Sequence, residues 1–465
     1  MELQNPDKKE NGSGKQARIV LNIILFIVFF TIVQDLVCAV FFNHGTSART
    51  LKMVYYIKEV AILLLGSYCA LSLLVNWQYK IRGTEIFVTF FVIDILIYMC
   101  VGATKNGVYN ALLGSRQYII PIMMLIIGIY LGKYLYNDRI LLEKTIKFIV
   151  ALSVFLIITT IFERYVLSIR FWTNMNMVKF SNVVKGNVGD YASGTASLIQ
   201  NFYSAGHRRA VGVAAEPLLL SYYMIPLLYI NLGLSTFSTG KKERRKYLVI
   251  ALGIFLCQVL TLTRAIIISE VVALGIVYIV ILFKNRSLYN YKLILRLAVL
   301  GLLVAALFWN QISVMIYKTL NNLDGGSAGM HMYQLNQGLG YLKTYWYGLG
   351  VGSGSNLVAT TGAETLTTEF AYSNITLDLG IFGTLCYVFL LLRYCFSFIG
   401  QIRLEKNRTI RAMYFMNAFC IMTWLITGIF SPQMWGMKSV LLTWLMIGFS
   451  RGIMRTAQER GDERA

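Results

Sequence analysis

The chain has 465 residues, of which 57% are hydrophobic and only 14% are charged. A typical soluble domain has about 25% charged residues, so this composition excludes a string of soluble domains and a disordered chain. The net charge is +21, which in a soluble protein would suggest nucleic acid. Membrane proteins collect Lys and Arg in their inner loops instead, so no nucleic-acid partner is expected. We therefore expect an all-α, polytopic integral membrane protein.

Twelve apolar segments follow one another along the chain, each close to the roughly 20 residues that a spanning helix needs. They lie near residues 19–42, 54–75, 85–101, 118–136, 148–167, 215–236, 247–263, 265–283, 293–313, 369–398, 411–430 and 437–452. The first is predicted to be a retained anchor, because it is too long for a signal peptide and lacks a small-residue cleavage site. We expect about 12 transmembrane helices in a single membrane domain over residues 1–465.

Basic residues recur in every second connection between these segments. The densest run lies at residues 241–246, and others lie at 139–147, 284–292 and 403–411. Because cytoplasmic loops of membrane proteins carry an excess of Lys and Arg, both termini are predicted to face the cytoplasm. An even number of spans agrees with two termini on the same side.

Two connections on the predicted outer side are long, at residues 168–214 and 314–368. Loops of this length in compact proteins are usually functional or disordered. The second contains a glycine run at 348–354 with GxGxG spacing, but no βαβ unit surrounds it. A flexible loop over a cavity is therefore a better interpretation than a dinucleotide site. No CxxC or HExxH pattern occurs and the outer carboxylates are scattered, so no metal site and no cofactor is expected.

Four arginines on the predicted outer side are candidates for phosphate binding. Arg208 and Arg209 are adjacent, which departs from the positive-inside trend, and a guanidinium suits bidentate contact with phosphate. Arg264 lies in a tight turn between two segments, where snorkelling to lipid headgroups is the alternative. Arg116 lies just before a segment and suits a phosphate or a carboxylate partner equally.

Two further residues are candidates for proton transfer. Glu216 precedes Pro217 at the predicted start of a helix, where it is a candidate base or an arginine partner. His331 lies in the second long loop, where a catalytic base is the alternative to a structural or solvated imidazole. Several carboxylates at membrane depth are interpreted as interfacial or paired: Asp35, Asp94, Glu163 and Asp378.

These features, in this order and on one side of the membrane, resemble the Wzy-type polysaccharide polymerase and O-antigen ligase family. The resemblance covers residues 110–395. The similar motifs are Arg209-xx-Gly212 with Glu216-Pro217, Thr263-Arg264-Ala265, Ser327…Gly329-x-His331, the glycine run, and Thr368-Glu369 with Leu379-Gly380-Ile381-Phe382-Gly383. Many members carry Arg at the position of His331 and others carry His, so this position does not separate polymerases from ligases.

The resemblance implies an inverting, metal-independent membrane glycosyltransferase without a cofactor. Its donor and acceptor would both be oligosaccharides linked to a polyprenyl diphosphate. Arg209 and Arg264 would bind the diphosphate, and Arg116 and Arg208 would assist. Guanidinium groups can stabilise the charge that grows on this leaving group without a metal ion.

The same resemblance gives the role of base to His331 or Glu216. The expected reaction joins repeat units of a surface polysaccharide, of capsule, exopolysaccharide or O-antigen type, on the outer face of the bacterial plasma (inner) membrane. The expected partners are the lipid-linked substrates and the membrane lipid, with a chain-length regulator and a flippase as accessory proteins.

Other functions stay open at the level of sequence. A ligase that moves a finished glycan to another acceptor uses the same chemistry and differs in its product. A flippase or exporter of lipid-linked sugars suits the number of spans, but alternating-access carriers usually have short outer loops and detectable repeats. A structural membrane scaffold is a more distant alternative.

Overall fold

The computed structural model describes residues 12–75, 84–185, 202–204, 207–284, 327–359 and 363–462. The first half forms five long helices: α1 (Gly12–Asn43), α2 (Ala48–Val75), α3 (Thr84–Lys105), α4 (Val108–Asn137) and α5 (Arg139–Tyr165). Smaller elements follow: α6 (Ile169–Asn174), α7 (Met177–Phe180), a π-helical turn (Ser181–Lys185), and the antiparallel strands β1 (Tyr203–Ser204) and β2 (His207–Arg208).

The second half begins after a short 3₁₀ turn (Gly212–Ala214). Its helices are α8 (Pro217–Phe237), α9 (Lys241–Leu260), α10 (Arg264–Lys284), α11 (Ser327–Thr344), α12 (Asn356–Ala359), α13 (Ala371–Leu404), α14 (Arg408–Thr427) and α15 (Met437–Asp462). A 3₁₀ turn (Pro432–Trp435) precedes the last helix.

Within the described ranges, eight helices are long and apolar enough to cross a membrane: α1 to α5, α8, α13 and α14. This confirms an all-α protein with several helices of membrane-spanning character. Helices also form at three more of the predicted spans, as α9, α10 and α15. The predicted span at 293–313 lies outside the described residues, so the number of twelve and the orientation stay predictions, as do the loop boundaries 168–214 and 314–368.

Capping chemistry explains where several helices begin. The Asp138 carboxylate accepts hydrogen bonds from the first backbone N–H groups of α5, and the Asn407 side chain does the same for α14. Pro217 occupies the first turn of α8, where its missing N–H costs no hydrogen bond. These residues determine where each of the three helices begins.

One end of the helix bundle carries the connections at 202–204, 207–216, 261–263, 345–359, 363–370 and 428–436, and we call it the loop end. The backbone N–H of Ala210 donates to the carbonyl of Leu260 at the end of α9, at 2.9 Å. The N–H of Ala371 donates to the carbonyl of Gly428 after α14, also at 2.9 Å. Connections that are distant in sequence are therefore held against one another at this end, which is the outer end in the predicted orientation.

The glycine run at 348–354 is packed into the loop end. Gly348, Gly350 and Gly352 have φ values of 79°, 105° and 104°, a region that favours glycine. A Cβ on Gly350 would lie 2.5 Å from the backbone nitrogen of Gly102 in α3. The sequence predicted a flexible loop over a cavity, and this expectation is wrong because the glycines serve close backbone packing.

The fully buried carboxylate of Asp378 fixes this run. It accepts hydrogen bonds from the backbone N–H groups of Gly352 (3.0 Å) and Gly354 (2.7 Å). Gln117 (2.9 Å) and Tyr118 (2.8 Å) in α4 donate to its other oxygen. The glycine N–H groups therefore hold a carboxylate of the chain itself, which agrees with the prediction that Asp378 is a paired carboxylate.

Helices α4 and α15 pack through glycines. Both carry a Gly-xxx-Gly pattern, with Gly128 and Gly132 on α4 and Gly448 and Gly452 on α15. A Cβ on Gly128 would lie 2.5 Å from a backbone carbonyl oxygen of α15, and a Cβ on Gly448 would lie 2.3 Å from one of α4. Small residues allow such close approach of helices in a membrane. The contact fixes α15 against α4.

We expect Gly128→Val to destabilise the protein strongly, because the added atoms meet backbone that cannot move aside. Overpacking of this kind costs about 1–3 kcal/mol or more. Gly400→Val in α13 is the matched control, since a Cβ at Gly400 meets open space. The measurement is the midpoint of thermal unfolding in detergent. Equal midpoints for the two variants would contradict the close contact of α4 with α15.

Candidate functional site

The short β-hairpin before α8 places Arg209 at the loop end. The backbone N–H of Arg209 donates to the carbonyl of Phe202 at 2.7 Å, which closes the hairpin. Its Nε donates to the carbonyl of Thr261 at 2.8 Å, and one terminal nitrogen donates to the Thr263 hydroxyl at 3.2 Å. The turn between α9 and α10 therefore fixes the guanidinium of Arg209.

Buried polar side chains support that turn from below. The hydroxyls of Ser221 and Thr261 lie 2.5 Å apart, and the Thr261 hydroxyl donates to Thr263 at 2.9 Å. Gln258 donates to the carboxylate of the buried Glu270 at 2.7 Å. Hydrogen bonds thus connect the interior of the helix bundle with the residues that hold Arg209.

Two turns at this place contain strained backbone. Ala215 has φ = 55° and Leu262 has φ = 54°, a left-handed conformation that residues with a side chain rarely adopt. Ala215 directly precedes Glu216, and Leu262 lies two residues before Arg264. Such strain costs about 1–3 kcal/mol and concentrates at functional sites. The surrounding structure therefore holds these two turns in a backbone conformation that is unfavourable for residues with a side chain.

Arg209 lies near two other charged side chains, those of Glu216 and Arg264. Burial lowers the pKa of Arg209, the negative charge of Glu216 raises it, and the positive charge of Arg264 lowers it further. Glu216 therefore acts as a counter-charge to Arg209. Arg264 adds a second positive charge close to Arg209. Two neighbouring guanidinium groups of this kind favour an anion.

His331 and Glu369 form a pair next to this group. Nδ1 of His331 contacts Oε2 of Glu369, which lies two residues before the start of α13. Gln334, one turn after His331 on α11, accepts a hydrogen bond from the backbone N–H of Glu369 at 2.8 Å. Two contacts on the same face of α11 therefore hold the imidazole against the segment before α13.

The contact with Glu369 raises the pKa of His331. The hydrogen bond to Glu369 raises the pKa of His331, burial lowers it, and the charge of Glu369 raises it again. The positive charge of Arg264 lowers it, but the net direction is upward. Arg264 thus lies close enough for its charge to lower the pKa of both Arg209 and His331. We call Arg209, Arg264, Glu216, His331 and Glu369 the arginine–histidine site.

Arg208 points away from this site. It forms an ion pair with Glu163 of α5 at 2.7 Å and also donates to the carbonyl of Leu167 at 2.5 Å. The other oxygen of Glu163 accepts hydrogen bonds from the backbone N–H groups of Val211 (2.9 Å) and Gly212 (3.2 Å). Arg208 and Glu163 therefore attach the hairpin to α5, as the prediction of a paired Glu163 implies.

Arg116 also pairs with a carboxylate elsewhere in the bundle. Its guanidinium contacts Glu59 of α2 and lies over the ring of Tyr56, 4.9 Å from the centroid. The sequence allowed a phosphate or a carboxylate as the partner of Arg116, and in the structure Arg116 pairs with the carboxylate of Glu59. Of the six predicted site residues, the structure brings four together and leaves Arg116 and Arg208 in separate ion pairs.

Sequence reasoning missed Glu369 as the partner of His331. The two residues lie 38 positions apart in the chain, and pairing across such a distance has no local signature. One signal was present, because Glu369 is a carboxylate at the first position of the predicted span 369–398. The strained turns at Ala215 and Leu262 had no sequence signal, since neither position carries glycine.

The arrangement has two chemical capacities. Arg209 and Arg264 offer guanidinium groups to an anion such as phosphate. His331 keeps its Nδ1 proton toward Glu369, which leaves Nε2 as an acceptor for a proton. An anion site beside a base oriented by a carboxylate suits a group transfer in which an anionic leaving group departs.

We expect Arg208→Ala to lower stability, because it leaves the carboxylate of Glu163 buried without its cation. Breaking a buried pair in this way costs about 3–5 kcal/mol. Arg170→Ala on α6 is the control, since Arg170 is exposed. The measurement is the unfolding midpoint of both variants in the same detergent. If both unfold at the temperature of the unmodified protein, Arg208 does not have this structural role.

Comparison with known proteins gives no relative from which the role of this site could be inferred. No protein-family model matches the chain, and no curated protein matches it. The chemistry of the arginine–histidine site is therefore inferred from its own residues.

Proposed function

We propose that this protein polymerises lipid-linked oligosaccharide repeat units of a surface polysaccharide by inverting glycosyl transfer. The reaction would occur at the loop end, on the outer face of a bacterial plasma membrane. The observation that carries the proposal is that the positive charge of Arg264 lowers the pKa of both Arg209 and His331, so the three side chains lie within electrostatic range of one another. An anion site and a base then lie beside each other at one end of an apolar helix bundle.

The donor in this reaction is a glycan linked to a polyprenyl diphosphate. The acceptor hydroxyl oxygen attacks the anomeric carbon from the face opposite the diphosphate, which inverts the configuration. The new carbon–oxygen bond forms while the bond to the diphosphate oxygen breaks, and its electron pair leaves with the diphosphate. Arg209 and Arg264 stabilise this negative charge, which is larger in the transition state than in the ground state.

The proton of the attacking hydroxyl moves to Nε2 of His331. Glu369 holds the imidazole in the required tautomer and stabilises the imidazolium that forms, as a carboxylate does for histidine in other hydrolases and transferases. Glu216 lies beside Arg209, so its proposed role is that of an arginine partner. Arg116 and Arg208 pair with Glu59 and Glu163, and the proposal gives them no direct contact with the diphosphate.

We expect Arg209→Gln and Arg264→Gln to lower polymerisation at least about 100-fold each, because each removes charge stabilisation of the leaving group. The assay uses purified protein in liposomes with the lipid-linked repeat unit, and the products are separated on a gel. Arg170→Gln is the control because Arg170 is exposed on α6. Unchanged ladders in both site variants would overturn the assignment.

The product itself separates the rival functions in the same assay. A ladder of lengths on the carrier lipid supports a polymerase. A single transfer to another acceptor would replace the proposal with a ligase. Movement of the lipid-linked sugar across the bilayer without bond formation would replace it with a flippase, and the site residues would lose their catalytic roles.

The pH dependence of the rate tests His331 directly. Only the neutral imidazole accepts a proton, so the rate should rise with pH through the pKa of His331, which Glu369 raises. Glu369→Gln removes the negative charge and leaves only a neutral amide oxygen to accept from Nδ1, so the rising limb of kcat should move to lower pH, with a reduced plateau. A limb that stays in place would show that His331 is not the base.

A further inference from the structure

The peptide group between Thr368 and Glu369 is held from two helices. Its carbonyl oxygen accepts a hydrogen bond from Nδ2 of Asn374 in α13 at 2.8 Å. Its N–H donates to Oε1 of Gln334 in α11, also at 2.8 Å. Because a peptide group is planar, fixing both of its polar atoms fixes its orientation. Two neutral amide side chains therefore orient the backbone from which the side chain of Glu369 projects.

The backbone on both sides of this peptide group is fixed as well. Oδ1 of Asn374 accepts from the N–H of Thr368 at 2.9 Å, so one side chain holds both backbone polar groups of Thr368. The N–H of Phe370 donates to the Thr368 hydroxyl at 3.2 Å, and the N–H of Ala371 donates to the turn after α14. Four consecutive backbone N–H groups thus have acceptors. Glu369 projects from a fixed backbone, although its carboxylate is partly exposed.

These contacts are buried where α11 packs on α13. Asn374 is 4% exposed and Thr368 is 3% exposed. A Cβ on Gly338 of α11 would lie 2.9 Å from a side-chain oxygen in the first turn of α13. His331, Gln334 and Gly338 follow one another at spacings of three and four, which places them on one face of α11. The face that carries the imidazole is therefore the face that packs on the start of α13.

In the described part of the chain, Glu369 and Arg264 are the charged groups that act on His331. The hydrogen bond to Glu369 is the largest effect and raises the pKa of His331, whereas the charge of Arg264 lowers it. A hydrogen bond weakens steeply when its length or angle changes, so this effect depends on where the carboxylate lies. Asn374 and Gln334 are uncharged, so they influence the imidazole through the position of Glu369.

We propose that Asn374 and Gln334 are positioning residues for Glu369. They hold its carboxylate at Nδ1 of His331. The inference rests on the proposed function, in which Nε2 of His331 accepts the proton of the attacking hydroxyl. Nδ1 must then keep its proton toward Glu369, because a displaced carboxylate would let the imidazole rotate or change tautomer. The two amides keep the base oriented without contacting the substrates.

The first test measures the pKa of His331 and needs no substrate. Isotope-labelled histidine is introduced into the full chain in detergent, and its ring signals are followed by nuclear magnetic resonance as the pH changes. The chain has three histidines, so His331→Gln identifies the signal by its loss. We expect Asn374→Leu to lower the pKa of His331 toward its value in Glu369→Gln, because a freed peptide group lets the carboxylate move away.

Asn417→Leu is the matched control. Asn417 of α14 is also a buried amide in a long helix, and its Nδ2 donates to the carbonyl of Met446 (3.0 Å) and to the hydroxyl of Ser450 (2.7 Å). Loss of these bonds should destabilise the protein to a similar extent but leave the pKa of His331 unchanged. A pKa that falls equally in both variants would show a general loss of structure and would overturn the positioning role.

Polymerisation gives the second readout. We expect Asn374→Leu to lower kcat about tenfold with little change in KM, since a small misplacement of a catalytic group by a remote mutation can cost up to about 100-fold. The rising limb of kcat should move to lower pH, as in Glu369→Gln, and Asn417→Leu should leave it in place. A folded Asn374→Leu variant in which neither the limb nor the pKa of His331 moves would overturn the proposal.

Failure of this inference and failure of the proposed function give different results. A ladder from Asn374→Leu with an unchanged pKa of His331 would remove the positioning role and leave the polymerase intact. If the unmodified protein forms no ladder, the proposed function fails, and a fall in the pKa still supports the hold on Glu369. Gln334→Met replaces Asn374→Leu if the latter does not fold, because it removes only the acceptor of one N–H group from a partly exposed position.

Discussion

The buried carboxylate of Asp378 is the interaction on which the loop end depends. It accepts hydrogen bonds from backbone N–H groups of the glycine run and from two side chains of α4. Because an unsatisfied buried carboxylate is very costly, all of these donors must stay in place together. This fixes the glycine run against α4 and against α13, the helix that begins two residues after Glu369. The candidate base His331 contacts Glu369, so its surroundings include a helix that is held by a carboxylate with no part in the proposed chemistry.

The charged residues of the loop end fall into two kinds. Arg208 and Arg116 each meet a carboxylate, so they stabilise packing between elements. Arg209 and Arg264 lie close enough to repel each other, Glu216 offsets this repulsion at Arg209, and the pKa of Arg209 is lowered chiefly by burial. Strained backbone at Leu262, two residues before Arg264, and at Ala215, directly before Glu216, indicates that the surrounding structure holds this arrangement in place. The closeness of two guanidinium groups is the physical feature on which the proposed anion site rests.

Much of the helical architecture was predictable, because apolar runs of membrane length leave few alternatives. The distribution of basic residues also predicted that Arg209, Arg264 and His331 share one end of the helix bundle. The close packing of α4 with α15 was readable in principle from Gly128 and Gly448, since both helices carry small residues at a spacing of four. The glycine run was misinterpreted because glycine serves flexible loops and tight packing alike, and only neighbouring backbone distinguishes the two.

The sequence by itself determined the helical membrane class, most of the segments that form long apolar helices, and the set of residue types available for anion chemistry, whereas α11 forms inside a predicted loop. These properties depend on hydropathy and charge, which act locally along the chain. The tertiary structure decided which arginines are neutralised, that Arg264 lies near both Arg209 and His331, and that Glu369 orients the imidazole. Pairing between residues far apart in sequence depends on how helices pack, and no local pattern encodes the distance between two side chains on different helices.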